Sequence, residues 1–317
     1  MKKDKVLRGA KKWTVSVLRA IFLLAFSFVL IYPIIFMLSN AIKTQTDTMS
    51  PVVHWISRAP SFYSFEIAFK ALDFWETLKN TFTFEIVSAV IEVFTCAFYA
   101  YGLSRFKMRL KPLMMGLLIL IIFIPDIILV IPRIINFRYL DLFGILKAIG
   151  DAVGTELRPN LIDTPWMFWL PSIFGVGLKG GVFMFIYMQF FKGLPVELEE
   201  AAWIDGAGAY RTFFKIIIPS SGVVILTVFI FSVLWHWNDW LLAMMYTSEK
   251  NTFATLLYDI DQVVFNWSQV AGVKLDQEMS YGIPLAACLI YITPPLVMYL
   301  FLQKKFIQSI DRVGIVG

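Results

Sequence analysis

Cysteine and histidine are scarce in this chain of 317 residues, and each shortage removes a class of function. The two cysteines, Cys96 and Cys288, lie in apolar runs, so there is no disulfide framework and no zinc-type spacing. Two histidines, His54 and His236, are too few for most metal sites. Charge is short as well. Only 16% of residues are charged, whereas 58% are hydrophobic and 30 residues are Phe. A soluble domain of this size could not hide that much apolar surface in one core. No nucleophile–base pair or metal-ligand constellation stands out, which argues against an enzyme. A net charge of +5 would suggest nucleic acid in a soluble protein. Here its placement matters more than its sum, and no nucleic-acid partner is expected. No internal repeat or low-complexity segment is evident.

What the chain has in excess is long apolar runs. A helix needs roughly 20 such residues to cross about 30 Å of hydrocarbon. Six runs qualify, at 15–38, 80–103, 113–135, 166–191, 213–235 and 281–303, which predicts an all-α integral membrane protein with six transmembrane helices. Lysines and Arg8 precede the first run as they would in a signal peptide. The run is too long and no small-residue cleavage site closes it, so a retained helix is expected. Lys and Arg set the orientation. Segments 1–14, 104–112, 192–212 with Lys215, and the tail 304–317 hold sixteen basic residues; 39–77, 133–165 and 236–280 hold nine. Both termini are therefore expected in the cytoplasm, together with the loop 192–219, and 39–79 is expected outside.

That loop contains ELEEAAWIDGAGAYRTFFKIIIPSS, from Glu197 to Ser221, a charged, glycine-broken stretch between two apolar ones. Pro195 suits a helix start. Glu197, Glu199 and Glu200 suit its positive end. Gly206 offers a stop, and Pro219 marks a kink or fresh start. Leu198, Ala201, Ala202 and Asp205 fall at helical spacing on one face. A helix resting on lipid headgroups would favour Lys and Arg on its polar side, and three glutamates would be repelled by anionic lipid. A protein partner fits better.

Here the sequence resembles a family. Glu200-Ala201-Ala202, Asp205-Gly206-Ala207 and Ile218-Pro219 resemble the EAA loop of binding-protein-dependent ABC importer permeases. Trp237-Asn238-Asp239 is similar to a motif after the fifth span of the carbohydrate-type members. Pro125, Ile131 and Pro132 resemble the proline pattern of their third span, and Gly314-Ile315-Val316-Gly317 their glycine-rich tail. The resemblance covers the whole chain, in the class of the maltose-type second permease subunit. It implies a type I ABC importer permease architecture in a bacterial or archaeal cytoplasmic membrane. It implies a second homologous permease, two cytoplasmic ATPase subunits that receive the EAA helix, an extracytoplasmic solute-binding protein and a carbohydrate cargo. The chain has no GxxxxGK[ST] loop, so ATP is expected to be used by the partners, and no cofactor in this chain. The motif puts ATPase coupling on Glu200, Ala201, Ala202, Asp205, Gly206, Ala207 and Pro219, and the outer end of the pathway or its gate on Trp237, Asn238 and Asp239.

Ionisable groups at bilayer depth mark a cavity or a pair. Glu85 and Glu92 are seven apart and share a face with Ser88. Lys179 sits in the fourth run among Gly177, Gly180 and Gly181, where the family usually has small or apolar residues; Asp126 follows Pro125, and Arg133 follows Pro132. Two readings are open. Lys179 pairs with Glu92 or Asp126 and fixes helix packing, or Glu92, Asp126 and Lys179 line the path and Lys179 meets an anionic sugar. Glycine and proline breaks predict that spans three, four and six line a cavity. Trp166, Trp169 and Trp235 suit an interfacial belt better than sugar platforms. The segments Asn136–Pro165 and Phe265–Met279 are longer than in the family, and Leu142–Val153 is expected to form a short helix. Two alternatives remain: an ABC permease for a non-sugar solute, and an ion-coupled secondary transporter with Glu85, Glu92 and Lys179 as its relay, which would leave the Glu197–Ser221 stretch without a task.

Overall fold

The computed structural model describes residues 2–50, 55–141, 143–275 and 281–314. His54, Leu142, Ile315–Gly317 and the end of the 265–279 segment, all named above, lie outside the described residues. Everything regular among the described residues is helical. Two compact units are present, one formed by Met1–Leu72 and Ile260–Ile292, the other by Asp73–Asp259 and Thr293–Gly317.

In the first unit, helix α1 (Lys2–Ala41) runs for 40 residues, about 60 Å at 1.5 Å per residue. Most of its apolar stretch, residues 12–38, is uncovered by the rest of the chain, as befits a helix whose solvent is lipid. Its end is tied by Ser39, whose hydroxyl donates to the Trp55 carbonyl, and by Asn40, which donates to the Phe36 carbonyl at 2.8 Å. Helix α2 (Tyr63–Ala71) packs against a later helix of the same unit, Ile260–Ala271.

The second unit is organised by α3 (Phe74–Arg105), 32 residues long. Within it Phe82–Ile86 forms a π turn that carries Glu85, a local widening often found at functional sites. The buried side of α3 is stepped with small residues, Ala89, Cys96, Ala97 and Ala100. Small residues let helices approach closely where lipid supplies no hydrophobic drive. Against them pack Phe183, Tyr187, Met188 and Phe191, with Val224 and Val228 closing the core.

The next elements are α4 (Lys111–Phe123) and α5 (Asp126–Arg138), which meet at a 103° bend. The bend falls at Ile124–Pro125, where the residue before proline is pushed out of the helical region; Pro132 stays inside α5. Helix α6 (Ile145–Val153) is the short helix expected in the 136–165 segment. The predicted fourth span, 166–191, is instead two helices, α7 (Trp166–Ile173) and α8 (Gly180–Gly193), separated by a turn in which Gly175 and Lys179 take left-handed φ angles. Pro171 is not the cause, since it lies within α7.

Helix α9 (Glu197–Ile204) is followed by α10 (Ala209–Ser220) and α11 (Gly222–Trp237), which meet at 81°. The predicted fifth span, 213–235, therefore straddles a break two residues after Pro219. Helices α12 (Leu241–Tyr246), α13 (Phe253–Tyr258) and α14 (Ile260–Ala271) precede α15 (Gly282–Gly314). Pro294 and Pro295 lie inside α15 without ending it, contrary to the break expected there. A membrane helix absorbs the lost N–H bonds by local adjustment. Among the described residues three helices are long and apolar enough to cross a membrane, or five if each bent pair is one span. The difference from six lies in the split of the 166–191 run.

Candidate functional site

The 192–219 loop builds a compact knob. Helix α9 ends in a Schellman arrangement: the Gly206 N–H donates to the Trp203 carbonyl at 3.0 Å and the Ala207 N–H to the Ala202 carbonyl at 2.9 Å. Gly206 sits at φ +77°, the left-handed position glycine fills at least cost. Helix α10 restarts at Ala209 and carries a second π turn, Phe213–Ile217.

Two residues of α9, Glu199 and Ala202, turn inward and are buried. Glu197, Glu200, Ala201 and Ile204, at helical spacing, form the exposed side. Of the face proposed from spacing, Ala202 is thus covered by the chain itself, while Leu198, Ala201 and Asp205 stay exposed. Ile204 is 86% exposed and Tyr210 71%, so the knob displays apolar surface beside its glutamates.

The knob is strapped to α3. Arg105, in the last turn of α3, places Nε 3.1 Å from Glu199 Oε1, and both side chains are nearly enclosed. Its Nη2 also donates to the Leu194 carbonyl at 2.6 Å. Burial pushes the Glu199 carboxyl above the usual carboxylate range, and Arg105 pulls it back. In the sequence Arg105 reads only as a marker of side.

A second polar constellation lies deep in the unit. His236 is held between two carboxylates, with Nδ1 3.1 Å from Glu85 Oε2 and Nε2 3.0 Å from Glu92 Oε2. All three residues are buried. Lone charges at this depth are costly, and paired ones are tolerated. The cluster joins α3 to α11, helped by Ser232, which donates to the Ala89 carbonyl at 3.2 Å. Ser88 bonds back to the Phe84 carbonyl of its own helix. Sequence reasoning found the two glutamates and missed the histidine. The available signal was that His236 and Lys215 are the only ionisable residues between Phe213 and Trp237.

Of the two pairings open for Lys179, the structure shows the one with Asp126: Nζ donates to Oδ2 at 2.7 Å. Glu92 pairs with His236 instead. The turn before α8 is pressed against Glu92. A Cβ at Gly177 would stand 2.7 Å from both Glu92 Oε1 and Ser172 Oγ. One at Gly180 would stand 2.4 Å from the Gly175 carbonyl oxygen and 2.6 Å from Glu92 Oε1. Only glycine allows that approach.

Trp237, Asn238 and Asp239 form the turn that follows the cluster. Trp237 is buried beside Phe253. The Asn238 amide donates to the Leu234 carbonyl at 2.7 Å, and Asp239 Oδ1 accepts from the Leu242 N–H at 3.0 Å at the start of α12. In the 136–165 segment, Asp163 accepts from the backbone and hydroxyl of Ser248 at 2.5 and 2.6 Å, which ties that segment to the loop after α12. Trp169 donates to the Thr83 carbonyl at 2.8 Å. Among the described residues no group of three or more His, Cys, Asp or Glu is arranged to hold a metal ion.

Residues 93–312 match the family described as "Binding-protein-dependent transport system inner membrane component". A putative ABC transporter permease protein, ORF2, of Caldicellulosiruptor sp. (strain Rt8B.4) is 28% identical over 98% of this chain and 99% of its own length. The sulfoquinovosyl glycerol transport system permease protein SmoH of Agrobacterium fabrum is 24% identical over 90% of this chain and 89% of its own. A chain from the crystal structure of a bacterial ABC transporter involved in the import of the acidic polysaccharide alginate superposes with a TM-score of 0.65. It is 16% identical and covers 92% of this chain and 96% of that one; the likeness concerns the fold.

Proposed function

The chain belongs to the binding-protein-dependent transport system inner membrane components, and from that premise we propose that it is one permease subunit of an ATP-driven importer of carbohydrates, acidic oligosaccharides among them. It lines a translocation path with a second, homologous permease in a bacterial or archaeal cytoplasmic membrane. Two ATPase subunits bind on the cytoplasmic side, and a solute-binding protein delivers cargo from outside. ATP is used by the partners, and this chain is not itself an enzyme. The relatives named for sulfoquinovosyl glycerol and alginate support a carbohydrate cargo.

The observation that carries the reading is the strapped knob. A stroke delivered to Glu200 and Ala201 on α9 must pass into the membrane through something stiff, because a flexible loop would absorb it. Here the Glu199–Arg105 pair joins α9 to α3. Ala202 packs α9 inward, Asp205, Gly206 and Ala207 shape its end, and Pro219 lies just before the α10–α11 bend. Glu85 lies twenty residues from Arg105, about 30 Å along the helix. There the His236 cluster joins α3 to α11 and the Trp237-Asn238-Asp239 turn, which we place at the outer gate. The same arrangement disfavours an ion relay through Lys179, since Lys179 pairs with Asp126 while both glutamates are held by His236.

Purification from native membranes in mild detergent tests the assembly. An ATPase and a second permease should accompany this chain. Recovery of the chain alone under conditions that keep it folded would sink the proposal.

A further inference from the structure

The turn between α7 and α8 puts a lysine where the backbone calls for glycine. Lys179 takes φ +64°, in the left-handed region that side chains with a Cβ seldom adopt. Its neighbours Gly177, Gly180 and Gly181 do not use positive φ. Glycine at 179 would be the easier choice, and strain of this kind collects at functional positions. The lysine side chain is 39% exposed, within a run apolar enough to be read as membrane-embedded.

Its surroundings are polar on one side only. Asp126, at the start of α5, holds Nζ at 2.7 Å. Arg133, two turns further along α5, donates to the Val176 carbonyl at 3.1 Å. Asp126, Arg133 and Lys179 line one small cavity, floored by Gly177, Gly180 and Gly181. Its lining carries two cations and one carboxylate, with Glu92, held by His236, behind Gly177 and Gly180.

We propose that Lys179 and Arg133 form the subsite through which a carboxylate of an acidic oligosaccharide passes, with Asp126 holding the lysine between cargoes. The inference rests on the carbohydrate-importer reading above. A sugar carboxylate displaces Asp126 and restores an ion pair with Lys179, so the lysine is never left bare. A neutral sugar offers no such exchange.

The test uses the whole transporter, with its partner permease, ATPases and binding protein, in proteoliposomes. The probes are trigalacturonate and its carboxyl-reduced counterpart, each taken up with ATP. Wild type should import the acidic probe. Lys179→Gly should lower uptake of that probe by about tenfold, the worth of one charged hydrogen bond, and leave the neutral probe within about twofold. Lys179→Arg should keep most acidic uptake. Equal loss of both probes would make the lysine a structural pair and overturn the subsite. So would ATP-driven import of the neutral probe alone by wild type. Absence of ATP-driven uptake of either probe, with an intact complex, would overturn the importer reading itself.

Discussion

Replacing Arg105 by Ala should disconnect the knob from the helix it drives. The substitution removes the cation 3.1 Å from Glu199 Oε1 and the donor 2.6 Å from the Leu194 carbonyl. Breaking an enclosed ion pair by removing one partner costs about 3–5 kcal/mol. The pair sits at the end of the helix bundle, so about 3 kcal/mol is the better figure, with about 1 kcal/mol more for the carbonyl bond. A loss of about 4 kcal/mol is enough to let a short helix detach without unfolding the core, because Phe183, Tyr187 and Phe191 hold α8 against α3 independently of it. In proteoliposomes with the ATPases, the variant should hydrolyse ATP while importing at least tenfold less cargo per ATP. The defect should also depend on pH. Burial already raises the Glu199 carboxyl, with Arg105 opposing. Without Arg105 the rise is larger, and a raised carboxyl favours the folded arrangement below the ordinary carboxylate range and loses that support as pH climbs through its folded value. Import by Arg105→Ala should therefore recover in part as the pH on the ATPase side is lowered, more than in wild type. The double variant Arg105→Met with Glu199→Met, which replaces the pair by apolar bulk, should regain coupling. Full coupling in Arg105→Ala would refute the strap as the transmitting contact.

Three further outcomes test other parts of the argument. Gly206→Asp should cost only about 1 kcal/mol of local stability, since its Cβ meets nothing within 4 Å and only the φ of +77° is strained; membrane insertion should persist while import is lost, and normal transport would count heavily against docking at this turn. Gly180→Ala should lower the melting temperature, because its Cβ would stand 2.4 Å from the Gly175 carbonyl oxygen, whereas Gly193→Ala, with open space around it, should not. His236→Ala should destabilise the purified protein by about 3–5 kcal/mol by leaving two buried carboxylates without their shared partner, and a melting temperature equal to wild type would remove the cluster from the account.

Particular residues show where reading the sequence succeeded. The helix 197–204, its stop at Gly206 and the fresh start beyond it follow from charge placement, glycine and proline, which act within a few residues. The short helix in the 136–165 segment follows from the same local signals. Long apolar helices over the 15–38, 80–103 and 281–303 runs follow from apolar length. The break in 166–191 was legible only as a cluster of Pro and Gly. Those residues permit a turn without fixing where it falls, and Pro171, Pro132, Pro294 and Pro295 all stay inside helices.

The sequence alone determined that this chain belongs in a bilayer, which of its stretches are helical, and that one charged knob interrupts its apolar belt. Those properties follow from composition and from forces acting over one or two helical turns. Tertiary structure decided the partners of the buried charges. Glu92 lies 144 positions from His236, Asp126 lies 53 from Lys179 and Arg105 lies 94 from Glu199. Which charge meets which depends on how the helices pack, and that depends on the small-residue steps of α3 and the glycines before α8, whose effect exists only once a second helix lies against them.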